Sequence, residues 1–237
     1  MLIRNALVAI FLCGFFSVGA SADEASVKAA LQAKYPQLAI ENISKAPLPG
    51  FYEIYANGEI IYTDEGANYI FVNGALINTS TRQNVTDESK RKLSSIKWEQ
   101  LPLKNAFARV KGNGKRKLAL FADPNCGYCK KIERDLSALN DVTIYTFVYP
   151  ILSEDSTQKA KSIWCSKDKA KAWTDQMLNN IAPNASASCD NPVDENLDFG
   201  RRKGISGTPT LFFADGQRVP GAVSTAELDK MLDAVGK

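Results

Sequence analysis

The sequence predicts a chain in two folded parts. A small α+β unit, one helix plus a β-meander, comes first; after a connecting helix comes an α/β domain with a central sheet and helices on both faces. Three observations carry this. Turn dipeptides that tolerate positive φ punctuate short apolar runs between residues 51 and 78. Strand, helix and strand follow one another over residues 117–149 at the spacing of a parallel crossover unit. Between these regions lies a mostly polar helical stretch.

Composition limits the chemistry. The 237 residues carry 29 Lys+Arg, 26 Asp+Glu, five Cys and no His. Length fits one large domain or two small ones, and 45% hydrophobic with 23% charged residues is globular, not disordered or collagenous. Without His there is no Ser-His or Cys-His couple, no HExxH or Cys2His2 zinc site and no imidazole base. A formal net charge of +3 gives no basis for nucleic-acid binding. Sulfur is what remains for difficult chemistry.

Residues 1–22 read as a signal peptide: Arg4, an apolar run over 6–16, then Ala20-Ser21-Ala22 as the cleavage signal, so that a mature chain starts at Asp23. The run of about 11 residues is short of the ~20 that span a bilayer. Cleavage removes Cys13 and leaves Cys126, Cys129, Cys165 and Cys189. Four cysteines in an exported chain point to two disulfides or a redox centre.

Residues 25–35 have helical periodicity and stop before Pro36. Strands follow at 51–55, 59–63, 69–72 and 75–78, with Asn57-Gly58, Asp64-Glu65-Gly66 and Asn73-Gly74 as the turns of a meander. A unit of this size leaves open sheet edges, which pairing with a second copy or packing on its own chain would cover. Over 86–102, Thr86 or Asp87 is the expected N-cap of the connecting helix, and Pro102 lies past its end. Its large apolar residues are Leu93, Ile96 and Trp98.

Residues 117–122 (KLALFA) are a buried strand, 126–139 a helix and 142–149 (VTIYTFVY) a second buried strand. The run Lys111-Gly112-Asn113-Gly114-Lys115-Arg116-Lys117 reads as a solvated hairpin. A helical stretch covers about 156–180. Strands at 210–213 and 217–219 flank the hairpin turn Asp215-Gly216, and Ser224-Thr225-Ala226-Glu227 opens a last helix as a capping box.

Cys126-Gly127-Tyr128-Cys129 sits where the first buried strand gives way to a helix. There the helix dipole and free N–H groups stabilise a thiolate at Cys126, and Cys129 is close enough to close a reducible disulfide. Cys126 is the expected nucleophile and Cys129 the resolving thiol. A structural disulfide or a metal site are the alternatives, but no second Cys pair at similar spacing exists for a metal, and residue 130 is Lys where a c-type haem motif needs His. The second element is Gly207-Thr208-Pro209-Thr210, with Pro209 opening an apolar strand.

With FADPNCGYC after a strand and GISGTPT before a hairpin, the chain resembles the DsbC/DsbG family of periplasmic disulfide isomerases, in the thioredoxin superfamily. The resemblance covers essentially the whole mature chain. It implies an N-terminal dimerisation domain at 23–82, a linker helix at 83–102 and a thioredoxin-like catalytic domain with a helical insertion at 103–237. It further implies that the protein is a periplasmic homodimer, that Pro209 is cis, and that Thr208 and Pro209 contact substrate beside Cys126. Gly127 and Tyr128, which match the DsbC pattern, would tune the redox centre and touch substrate. The expected partners are misoxidised exported proteins and a membrane thiol reductase of the DsbD type. No cofactor, metal or nucleic acid is expected. The family also carries a structural disulfide in the insertion, which implies a Cys165–Cys189 bond worth about 3–3.5 kcal/mol by loop entropy; a second redox couple is the alternative. A net reductase or oxidase, and a holdase that binds unfolded chains, are the competing functions.

Overall fold

The computed structural model describes residues 24–235. The signal-peptide reading, with its cleavage at Ala22, lies outside the described residues. Helix α1 (Glu24–Lys34) opens the first unit, burying Val27 and Leu31, and its Lys34 donates through Nζ to the Ala67 carbonyl at 2.7 Å. The antiparallel sheet runs in the order β1 (Ile40–Lys45), β2 (Phe51–Ala56), β3 (Glu59–Asp64), β4 (Ile70–Phe71). Asn57 and Gly58 take φ of 52° and 80°, which closes the β2–β3 hairpin with Ala56 opposite Glu59.

Two expectations for this unit need correction. Strand β1 was not anticipated, and the reason is a bulge between Ile40 and Asn42. The bulge lets Ile40 and Ile43, three apart, both pack on the unit's core, so strict alternation is absent. The last meander hairpin does not form. Asn73 has φ of 58° but Gly74 is not at positive φ, so the pair of left-handed residues that a type I′ turn needs is missing. Instead β5 (Ile77–Asn78) pairs with β6 (Gln83–Asn84) as a separate two-stranded ribbon.

The connecting helix α2 (Val85–Leu93) is shorter than expected and its N-cap is Asn84, whose side chain accepts from the Asp87 N–H at 3.0 Å. Thr86 is buried inside the first turn, its hydroxyl 2.7 Å from that of Tyr62. Beyond the helix end the Ile96 N–H donates to the Gly216 carbonyl at 3.1 Å. Gly216, at φ of 87°, has no room for a Cβ, which would lie 2.8 Å from the Ile96 carbonyl oxygen. Leu93 packs on the first unit with Tyr55, Ile60 and Tyr62, whereas Ile96 packs with Phe121, Phe147 and Phe212 of the second.

The larger sheet has β7 (Phe107–Lys111), β8 (Arg116–Ala122), β9 (Val142–Val148), β10 (Thr210–Phe213) and β11 (Arg218–Pro220) in the order β11-β10-β8-β9-β7. Strands β8 and β9 are parallel, joined through α3 (Gly127–Ser137). The run 111–117 is a turn but not a hairpin: β9 lies between β7 and β8, because the parallel crossover claims the position beside β8. The expected single helical stretch is two helices, α4 (Glu154–Cys165) and α5 (Lys169–Leu178), broken where Asp168 N-caps α5. Helix α6 (Val193–Arg202) follows, and α7 (Thr225–Val235) closes the fold behind the Ser224–Glu227 capping box.

From Leu118 onward strand β8 is apolar because both its faces are covered. Leu118, Leu120 and Ala122 face a core with Ile132, Trp173, Met177, Leu228 and Leu232, while Ala119 and Phe121 face Phe147, Tyr149, Phe199 and Phe212.

Candidate redox site

The site begins where β8 stops. Asp123, fully buried, turns the chain: its carbonyl accepts from the Cys126 N–H at 3.1 Å. Its carboxylate accepts from the N–H groups of Asn125 (2.8 Å) and Leu152 (3.0 Å) and from the Ser156 hydroxyl (2.8 Å). Cys126 is thereby delivered to the N-cap of α3, with extended φ and ψ of −74° and 120°, and its Sγ accepts from the Cys129 N–H at 3.3 Å. A sulfur acceptor takes the place of the usual capping oxygen.

Both thiols are free. Cys126 is 6% exposed and Cys129 fully buried. The Cys129 thiol beside it pulls the Cys126 pKa down to about 5, aided by the Thr208 side chain and the N–H groups of Cys129 and Tyr128, against the opposing effect of burial. Burial pushes the Cys129 thiol far up, and the neighbouring Cys126 sulfur pushes it further. One sulfur is set to be thiolate and the other to stay protonated.

The far wall comes from the segment before β10. The Thr208-Pro209 peptide is cis, and the Cys126 thiol is 3.3 Å from the Thr208 carbonyl oxygen, to which it donates when protonated. Pro209 is buried, its carbonyl accepting from the Gly221 N–H at 2.8 Å. Gly127 and Tyr128 are exposed, Tyr128 at 70%, and Ile151 and Leu152 are exposed beside the loop that Asp123 anchors. The structure therefore brings Cys126, Cys129, Thr208 and Pro209 together, with Gly127 and Tyr128 at the rim. Cys165 and Cys189 are bonded to each other, S–S 1.97 Å and Cα–Cα 5.7 Å, tying the end of α4 to the segment before α6.

Several residues of the site escaped the reading of the sequence. Asn125 is held by Asp155, Ser156 and Lys159 of α4. Gln176 of α5 donates to the Pro124 carbonyl at 3.0 Å. Glu133, buried in α3, takes a bidentate ion pair from Arg109 (2.6 and 2.7 Å) and a hydrogen bond from the Trp173 indole (2.7 Å). Only Asp123-Pro124 left a local signal, an acid and a proline ending an apolar strand. Among the described residues no group of three or more His, Cys, Asp or Glu could hold a metal ion, and no helix is long and apolar enough to cross a membrane.

Comparison with known proteins bears on this geometry. The thioredoxin-like domain family matches residues 103–236, and the disulfide bond isomerase protein N-terminal domain family matches residues 18–87. A probable thiol:disulfide interchange protein DsbC of Bordetella pertussis is 46% identical over 183 residues, 77% of this chain. The matched region spans 65% of that relative's length. The thiol:disulfide interchange protein DsbC of Escherichia coli is 31% identical over 229 residues, covering 94% of this chain and 92% of the relative. Among solved structures, a disulfide interchange protein from Neisseria gonorrhoeae is 40% identical with a TM-score of 0.55, covering 58% of this chain and 99% of its own.

Proposed function

This chain belongs to the DsbC family of thiol:disulfide interchange proteins, and from that premise we propose that it is a periplasmic protein disulfide isomerase acting through Cys126-Gly127-Tyr128-Cys129. The observation that carries the reading is the division of labour between the two sulfurs: Cys126, at the N-cap of α3 and 6% exposed, is acidic, whereas Cys129, fully buried, holds its proton.

The Cys126 thiolate attacks one sulfur of a wrong substrate disulfide. That S–S bond breaks, a mixed disulfide forms, and the other substrate sulfur leaves as thiolate. Another substrate thiolate then attacks the sulfur bound to Cys126, a new substrate disulfide forms, and Cys126 leaves as thiolate; no electrons are gained or lost overall. If rearrangement stalls, Cys129 loses its proton and attacks Cys126 Sγ. The products are a reduced substrate and the Cys126–Cys129 disulfide, which a membrane thiol reductase of the DsbD type would reduce. Pro209 lines the cleft without offering an N–H, leaving the Thr208 backbone to pair with an extended substrate. Cys165–Cys189 serves as a structural bond, since neither sulfur caps a helix N-terminus as Cys126 does.

Recovery of activity from a scrambled multi-disulfide protein tests this. The reduced chain restores activity, Cys126→Ser does not, and Cys129→Ser accumulates a mixed disulfide detectable by mass. Full recovery with Cys126→Ser would exclude the assignment. The exposed Ile151, Leu152 and Tyr128 also support binding of unfolded chains. Suppressed aggregation with Cys126→Ala/Cys129→Ala is the expected sign of that holding activity, and its loss in the double variant would refute it.

A further inference from the structure

Besides the Leu152 N–H, which the Asp123 carboxylate accepts, the loop that delivers Cys126 is held by side chains from the two helices of the insertion. From α4, Ser156 holds the Asp123 carboxylate, and Asp155, Ser156 and Lys159 hold the Asn125 amide. From α5, Gln176, 5% exposed, donates to the Pro124 carbonyl at 3.0 Å. Pro124 has no N–H, so this carbonyl is its single backbone polar group. The contacts of α5 follow one helical face: Trp173 reaches Glu133 in α3 at 2.7 Å, and Gln176 reaches the loop. Just past the helix end, Asn180 accepts from Lys130 Nζ at 2.6 Å. Through hydrogen bonds, α5 and Asn180 beyond its end thus grip α3 at its middle and its first turn, and among the described residues Gln176 is the one side chain of α5 bonded to the residues just before α3.

We infer that Gln176 is a positioning residue for Cys126: by holding the Pro124 carbonyl it sets where the loop ends and α3 begins, and so where the Cys126 sulfur meets the N–H groups of the first turn. The Cys129 N–H to Sγ distance of 3.3 Å leaves that contact sensitive to a small shift of the loop. This assignment deepens the proposed function, since it rests on Cys126 as the attacking thiolate. The charged groups around the loop are Asp123 itself, Asp155 and Lys159 from α4, and Lys130 from α3. Gln176 is neutral, so an apolar replacement changes none of those charges, and any change in thiol acidity reports geometry.

The test is the pH titration of thiolate absorbance in the reduced protein, for wild type, Gln176→Met and Ser162→Ala. Ser162 is also buried in the insertion, but bonds to the Ala185 carbonyl and not to the loop. Gln176→Met is expected to raise the Cys126 pKa by about 0.5–1 unit, roughly a three- to tenfold gain of thiol over thiolate, while Ser162→Ala leaves it in place. If the methionine variant does not fold, Gln176→Asn, one methylene short of Pro124 but still an amide, is expected to give the same shift. An unchanged pKa in the folded Gln176 variant, or an equal shift in Ser162→Ala, overturns the inference. The titration needs no substrate, so failure of wild type to isomerise disulfides would refute the proposed function and leave this result standing.

Discussion

At the residue scale the pair Cys126 and Cys129 sets the protein's response to pH. With the Cys126 pKa near 5 in the fold and near the ordinary 9.0 unfolded, the unfolded chain binds more protons between those values, so the reduced fold gains stability as pH rises from about 5 to about 9. Cys129 acts in the opposite sense: it stays protonated in the fold above pH 9.0, where an unfolded thiol would ionise, so stability falls there. The expected outcome is a difference in thermal midpoint between reduced wild type and Cys126→Ser that grows from acid to neutral pH. The alkylation rate of Cys126 should follow the same midpoint, near pH 5. A midpoint near 9 would show that the donors around Cys126 do not act on it. With no His in the chain, no imidazole contributes to either curve.

At the scale of elements, α3 is the part whose placement matters most, and a buried ion pair holds its middle. Glu133 is 1% exposed, and its partners come from β7 (Arg109) and α5 (Trp173). Arg109→Leu would leave a carboxylate buried without its cation, and is expected to cost about 3–5 kcal/mol in denaturant unfolding. The double replacement Arg109→Leu/Glu133→Leu, which removes both charges, should recover most of that loss; equal losses in the two would mean that packing, not charge, is at issue. Elements such as α3, β8, β9 and α7 were legible because their signals are local: a CxxC at a strand end, a continuous apolar run, a capping box. Strand β1 was not, because its bulge breaks the alternation, and the Asn73-Gly74 hairpin misled because the dipeptide permits a turn geometry that Gly74 does not adopt. The site divides in the same way. Cys126, Cys129 and Pro209 sit in short motifs, whereas Glu133, Asn125 and Gln176 matter through partners 24 to 52 residues away that no local pattern encodes.

At the scale of the molecule, the first unit ends its sheet on β4, a two-residue edge with Tyr69, Phe71 and Val72 exposed around it. An apolar open edge of this kind invites a second strand, and the homodimer that the family resemblance implies would cover it. Phe71→Lys places a charge there and is expected to shift the protein from dimer to monomer in gel filtration, leaving thiol reactivity at Cys126 intact. A wild type that already elutes as a monomer would overturn the expected dimer and favour a net reductase or oxidase. The burial of Cys129 has a consequence for timing. In the proposed cycle the buried Cys129 must give up its proton before it attacks the mixed disulfide, so its attack works as a delay. The substrate has that interval to find another pairing, and only a chain that fails to do so is released as dithiol. Opening the packing around Cys129 would shorten the interval, turning a protein that rearranges bonds into one that mainly breaks them.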